Sequence, residues 1–132
     1  MDVKLWMVFE AVSPSQEGVE GSLEDHLEKL RNEPEAEVVE SNIDEVEKVE
    51  NPHKTLEEGY SQVAETVVKA SSFEEAIALT VNYGPTYVQV EEPDVYDLKL
   101  KESQEALQHV ADIMRQYAET GAGGMLVSKT EK

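Results

Sequence analysis

Glu105, His109 and Asp112 stand at i, i+4 and i+7 of a segment with helical periodicity. That spacing could present two carboxylates and an imidazole to a divalent metal. At 100° per residue, however, the three lie opposite the mean direction of the neighbouring apolar side chains, so they are expected to point into water. A solvated helix face is the reading that outweighs the metal site. His26 differs, because it falls within an apolar stripe beside Val19, Leu23 and Leu30. An imidazole there could titrate near neutral pH or act as a base. The plainer alternative is a packed histidine with one hydrogen bond. Tyr96, with Tyr83, Tyr87 and Trp6, supplies the aromatic surface nearest a pocket. His26 and Tyr96 are therefore the candidate residues for a small-molecule ligand, which stays unidentified.

Other chemistry finds no support. No serine sits in a GxSxG nucleophile elbow, and the chain has no cysteine. Glycines 121, 123 and 124 follow a helix, whereas a phosphate loop requires a strand before it and a helix N-terminus after it. The acidic stretch Glu33 to Glu50 alternates Glu with Val, unlike the Asp, Asn and Gly pattern of a calcium loop, so it reads as a charged strand that resists aggregation. Weak, nonspecific cation association remains compatible with it. No catalytic residue and no cofactor is indicated, and whether the chain is an enzyme stays open, with the balance against it.

Charge narrows the partners. The 132 residues carry 29 acids and 11 bases, a net charge of −18. Residues 14–60 hold 15 acids and 4 bases, whereas residues 99–132 hold 5 of each. Phosphate backbones and anionic headgroups bind through Lys and Arg, so nucleic acid and membrane are excluded as partners. The longest apolar run, Leu5 to Phe9, is far below the ~20 residues of a membrane helix, and the N-terminus lacks the apolar core of a signal peptide. Without cysteines or a leader, a cytoplasmic location is expected.

The elements that must position these residues follow from periodicity. Leu5, Met7 and Phe9 alternate with Trp6 and Val8, and both sets are apolar, as in a central strand. A helix follows, beginning at Ser22 or earlier near Gln16, and Pro34 prevents its continuation. Residues 36 to 50 predict a long charged strand, with Val39, Ser41 and Ile43 on one side and a bulge or break near Asp44. His53 reads as a solvated turn residue beside Pro52. Residues 62–69 alternate as the hairpin partner. Ser72 and Glu75 form a capping box for a helix that Gly84 and Pro85 stop. Thr86 to Glu91 predicts a strand ended by Pro93, and Val95 to Leu100 a short edge strand. The last helix spans about Ser103 to Glu119, and a loose or strand-like tail, 121–132, carries the apolar cluster Met125 to Val127.

This order, strand, helix, strand, strand, helix, strand and an added helix, predicts one α+β domain over 1–132, a ferredoxin-like βαββαβ sandwich with a C-terminal helix. The strand MVFEAVSPS, the segment VNYGPTYVQVEEP and the acidic, cysteine-free makeup resemble small uncharacterised archaeal proteins with a ferredoxin-like fold. The resemblance implies the fold and no activity. The RNA-binding form of that fold needs basic and aromatic residues on its central strands, which YSQVAETVV lacks. Its acylphosphatase form needs an anion-binding Arg in a loop, and Arg31 and Arg115 both lie in helices.

Two functions are carried forward. The first is a noncatalytic binding or assembly module that self-associates into a homo-oligomer through its sheet or its C-terminal helix, drawn from the surplus of apolar surface in a charged chain. The second is a small-molecule or metal-dependent sensor or enzyme using His26 and nearby carboxylates. Where the last helix packs decides whether the sheet face is free.

Overall fold

A computed structural model describes the backbone of residues 1–53 and 56–120, and the side chains of these apart from 51–53, 56, 57 and 120. The tail, with its Met125 to Val127 cluster, and the His53 side chain lie outside the described residues. The elements are β1 (Val3–Ser13), α1 (Gln16–Arg31), β2 (Ala36–Ile43), β3 (Glu47–His53), β4 (Leu56–Ala70), α2 (Phe73–Tyr83), β5 (Tyr87–Glu92) and α3 (Leu100–Thr120). The described residues form an α+β fold, with five antiparallel strands and three helices among them.

β1 holds the centre because both its faces are apolar. On one edge it pairs with β4 along its whole length, Val3 opposite Ala70 to Ser13 opposite Tyr60, and on the other with β5. The strand order is β2-β4-β1-β5, with β3 also on β4. Thus α1 links two strands that flank β4, and α2 links two that flank β1. The 15 residues of β4 take β2 on their C-terminal half and β3 on their N-terminal half. The long charged strand is therefore interrupted at residues 44–46, where Asp44 N–H donates to the Val63 carbonyl at 2.9 Å.

Three expectations are corrected. The register shift between Val38 and Glu40 makes Val39 an extra, exposed residue, so Val38 rather than Val39 shares a face with Ser41 and Ile43. Residues 93–99 form no strand, because Tyr96 turns inward and its hydroxyl accepts from the Phe73 N–H at 3.2 Å. α3 begins at Leu100 rather than Ser103, since Glu102 reaches back to accept from the Lys99 N–H at 3.1 Å. A lysine at the cap position conceals this start from a reading by residue type.

The core lies between one sheet face and two helices. Leu5, Met7 and Phe9 of β1 and Ala64 and Val68 of β4 meet Leu23, Leu27 and Leu30 of α1 and Leu79 of α2. Met7 is wholly enclosed, and Thr66, buried beside it, satisfies its hydroxyl by donating to the Met7 carbonyl at 3.0 Å. α1 starts at Gln16, capped by Ser15, whose hydroxyl accepts from the Gly18 N–H at 2.9 Å. A Cβ at Gly18 would stand 2.5 Å from Ser13 Oγ and 2.8 Å from Ser15 Oγ, so a larger residue there would displace both hydroxyls, the second of which caps the helix. Ser72 caps α2, and Gly84 ends it in the left-handed region at φ 58°.

Candidate functional site

The His26 side chain crosses from α1 to the end of α2. Its Nε2 lies 2.8 Å from the Tyr83 carbonyl, which can only accept, so Nε2 carries the hydrogen. In the neutral ring Nδ1 is then the lone pair, with no partner among the described residues. Two rings hold the imidazole edge-on, Phe9 with centroids 5.2 Å apart and Tyr83 at 5.3 Å. Beside it opens a cleft of about 280 Å³ that runs under the last residues of β1 and is closed by Ser22, Tyr83 and Gly84. His26 thus has both features weighed in the sequence, one hydrogen bond within packed surroundings and an accessible lone pair near a small cavity.

Tyr96 is elsewhere. Its ring leans on Phe73 at the start of α2, with centroids 5.8 Å apart, beside a cleft of about 390 Å³ that also involves Val3 and Val90. Residues 73 and 83 are the two ends of an 11-residue helix, about 16 Å in length. The fold therefore does not bring His26 and Tyr96 together.

The three α3 residues also separate. Glu105 is exposed, and Asp112 accepts from Gln108 at 3.0 Å and pairs with Arg115 at 2.7 Å. His109 does not point into water as expected: it is half-buried, and its Nε2 is enclosed without a hydrogen-bond partner among the described residues. The reason lies in packing direction. The apolar residues of α3 occupy two stripes, and α2 covers the one on the His109 side, which averaging over both had displaced. Among the described residues no group of three or more His, Cys, Asp or Glu side chains could hold a metal ion.

One constellation was not legible in the sequence. The Tyr83 hydroxyl donates to Glu33 Oε2 at 2.5 Å, with the Lys29 carbonyl 3.2 Å away. Burial, then the hydrogen bond to Glu33 and its charge, push the phenol far above its ordinary value. Glu75 lies eight residues earlier on α2, within electrostatic reach of the same Glu33 carboxylate. Burial raises its carboxyl above the usual range, Glu33 and Glu35 add to the rise, and His109 opposes it. The residues come from the α1 end, the loop after it, α2 and α3, so only assembly reveals the cluster. The Tyr83 hydroxyl contacts and the His26–Tyr83 hydrogen bond lock α1 to α2.

No helix among the described residues is long and apolar enough to cross a membrane. No curated protein and no solved structure matches the chain. One family model does, and its name derives from a Methanocaldococcus protein, in keeping with the archaeal resemblance of the two quoted segments. With residues 4–131 covered by that model, the chain belongs to the MJ0538 family.

Proposed function

We propose that this protein is a noncatalytic binding or assembly module, built as a ferredoxin-like sandwich with an added helix, that self-associates into a homo-oligomer through its sheet or through α3. The strand order supports the fold reading once β2 and β3 count as one interrupted strand: each helix then joins two strands that flank a third. The functional reading rests on one observation, that α3 packs on α2 and makes no comparable contact with the sheet.

Two apolar surfaces are left over. On the open sheet face, Trp6 and Val8 of β1 stand beside Val67 of β4 and Tyr87 of β5, with Trp6 and Tyr87 edge to face at 5.3 Å. On α3, Leu100, Leu107 and Met114 recur every seven residues and are 87%, 69% and 51% exposed. At 100° per residue, Glu102, Glu105, Asp112 and Glu119 all fall on other sides of the helix. Seven-residue spacing is what a helix presents to a partner helix. A charge of −18 opposes close approach of two copies, and this stripe has no carboxylate of its own to add to the repulsion. The same charge supports excluding nucleic acid and membranes as partners, and the cysteine-free composition supports a cytoplasmic setting.

Sedimentation equilibrium at about 0.5 M salt, where the Debye length falls to a few Å, tests the reading. Association that weakens in Leu107→Glu or Val67→Glu, with circular dichroism unchanged, is the expected result. A strict monomer at millimolar concentration overturns it. The second reading, a sensor or enzyme acting through His26, is favoured by the cleft beside the imidazole.

A further inference from the structure

β1 has 11 residues, but its ladder with β5 covers only Lys4 to Val8. On the β4 side the strand is paired to its end at Ser13, so among the described residues the opposite edge beyond Val8 is open. The Val8 carbonyl accepts from the Thr86 N–H at 2.8 Å and therefore points to that edge. Backbone direction alternates along a strand, which turns the N–H and C=O groups of Glu10 and Val12 the same way. Among the described residues neither has a backbone partner there. Proteins ordinarily blunt or cover such an edge, because it templates a further strand.

The edge is also continuous with a receptor for side chains. Phe9 to Val12 form one wall of the cleft beside His26, with Ser22 and Gly84 opposite. Its 280 Å³ is at the lower limit for a small-molecule site but ample for one apolar or aromatic side chain. Every second side chain of an added strand would face the helix side, where the cleft opens. The charge of −18 selects among occupants: a second copy brings the same charge, whereas a cationic segment is attracted.

We propose that the open edge of β1 at Glu10 and Val12 takes an extended, basic peptide segment as an added strand, with one apolar or aromatic side chain seated in the His26–Tyr83 cleft. Main-chain hydrogen bonds from two residues give this site modest affinity, and the cleft fixes the register. The site is independent of self-association through the sheet face or α3.

The test is an amide chemical-shift titration of the full chain with an acetylated, amidated Lys-Val-Lys-Phe-Lys-Val-Lys peptide in about 0.3 M salt, which screens plain charge attraction. The expected result is a dissociation constant of roughly 10 μM to 1 mM, as short strand additions give, with shifts confined to residues 9–13, Ser22, His26 and Gly84. The same peptide N-methylated at alternate residues keeps its charge and side chains but loses donors, and it should bind at least tenfold more weakly. Val12→Pro removes the edge N–H without touching the β4 ladder and should weaken binding similarly. Equal binding of both peptides, shifts on the open sheet face, or no shift at millimolar peptide overturns the proposal. Edge shifts that track protein concentration without peptide also overturn it, assigning the edge to a second copy.

Discussion

Helices α1 and α3 are both amphipathic, yet they put their large apolar residues in opposite places. α1 presses Val19, Leu23, Leu27 and Leu30 into the sheet, all of them buried. α3, although longer, fully buries only Ala106 and Ala118 and keeps Leu100, Leu107 and Met114 in solvent. α1 is thus part of the core, and α3 is an attachment packed on α2, with Ala106 buried and His109, Val110 and Ile113 half-buried. The difference teaches that amphipathicity indicates which side of a helix needs cover but not what supplies it. For α3 the described residues leave the stripe of Leu100, Leu107 and Met114 exposed.

Stability measurements should divide the two helices sharply. Leu27→Ala is expected to cost about 3 kcal/mol in urea unfolding, as cavities at fully buried leucines do, whereas Leu107→Ala should stay within about 0.5 kcal/mol under monomeric conditions. A comparable loss at both positions would erase the distinction. Association should divide them the other way: Leu107→Glu is expected to weaken self-association at least tenfold, about 1.4 kcal/mol, and leave the unfolding midpoint of the monomer in place. His26→Ala, on α1, removes one hydrogen bond and two ring contacts and should cost about 1–2 kcal/mol, and retention of full stability would show the imidazole free of a structural role.

The smallest effect concerns the contact that holds α3. Glu75 has its folded-state value raised, chiefly by burial, so folding favours the protonated carboxyl. Its contribution is fully present below the ordinary glutamate value and is lost as pH rises through the raised one. Glu75→Gln should therefore gain stability relative to the native chain on going from acid to neutral pH, by an amount that solvent screening at this partly exposed site keeps small. A gain of equal size at every pH would show that the carboxylate is not strained. His109 counters the penalty, so adding His109→Gln should enlarge the benefit of Glu75→Gln only if the two side chains interact.

Much of the framework was readable from residue types. Both faces of β1 being apolar placed it centrally, Ser72 and Gly84 bounded α2, and the break near Asp44 followed from the loss of alternation. The errors have local causes. A one-residue bulge at Val39 inverted the phase of a strand, Lys99 concealed the start of α3, and averaging two apolar stripes misdirected His109. His26 was placed within an apolar stripe and packs there, but its attachment to Tyr83 spans 57 positions of chain, beyond any periodicity.

The sequence by itself determined most of the order of elements, the central strand and the charge, because these depend on side-chain type at short spacing. Only the tertiary structure decided which apolar faces found cover, that among the described residues β5 stops at Val8 and leaves that edge of β1 without a partner strand beyond it, and that Tyr83 meets His26 and Glu33. Those features depend on the relative placement of elements distant in sequence, and pairing lengths and packing angles are properties of the assembled layers rather than of any segment within them.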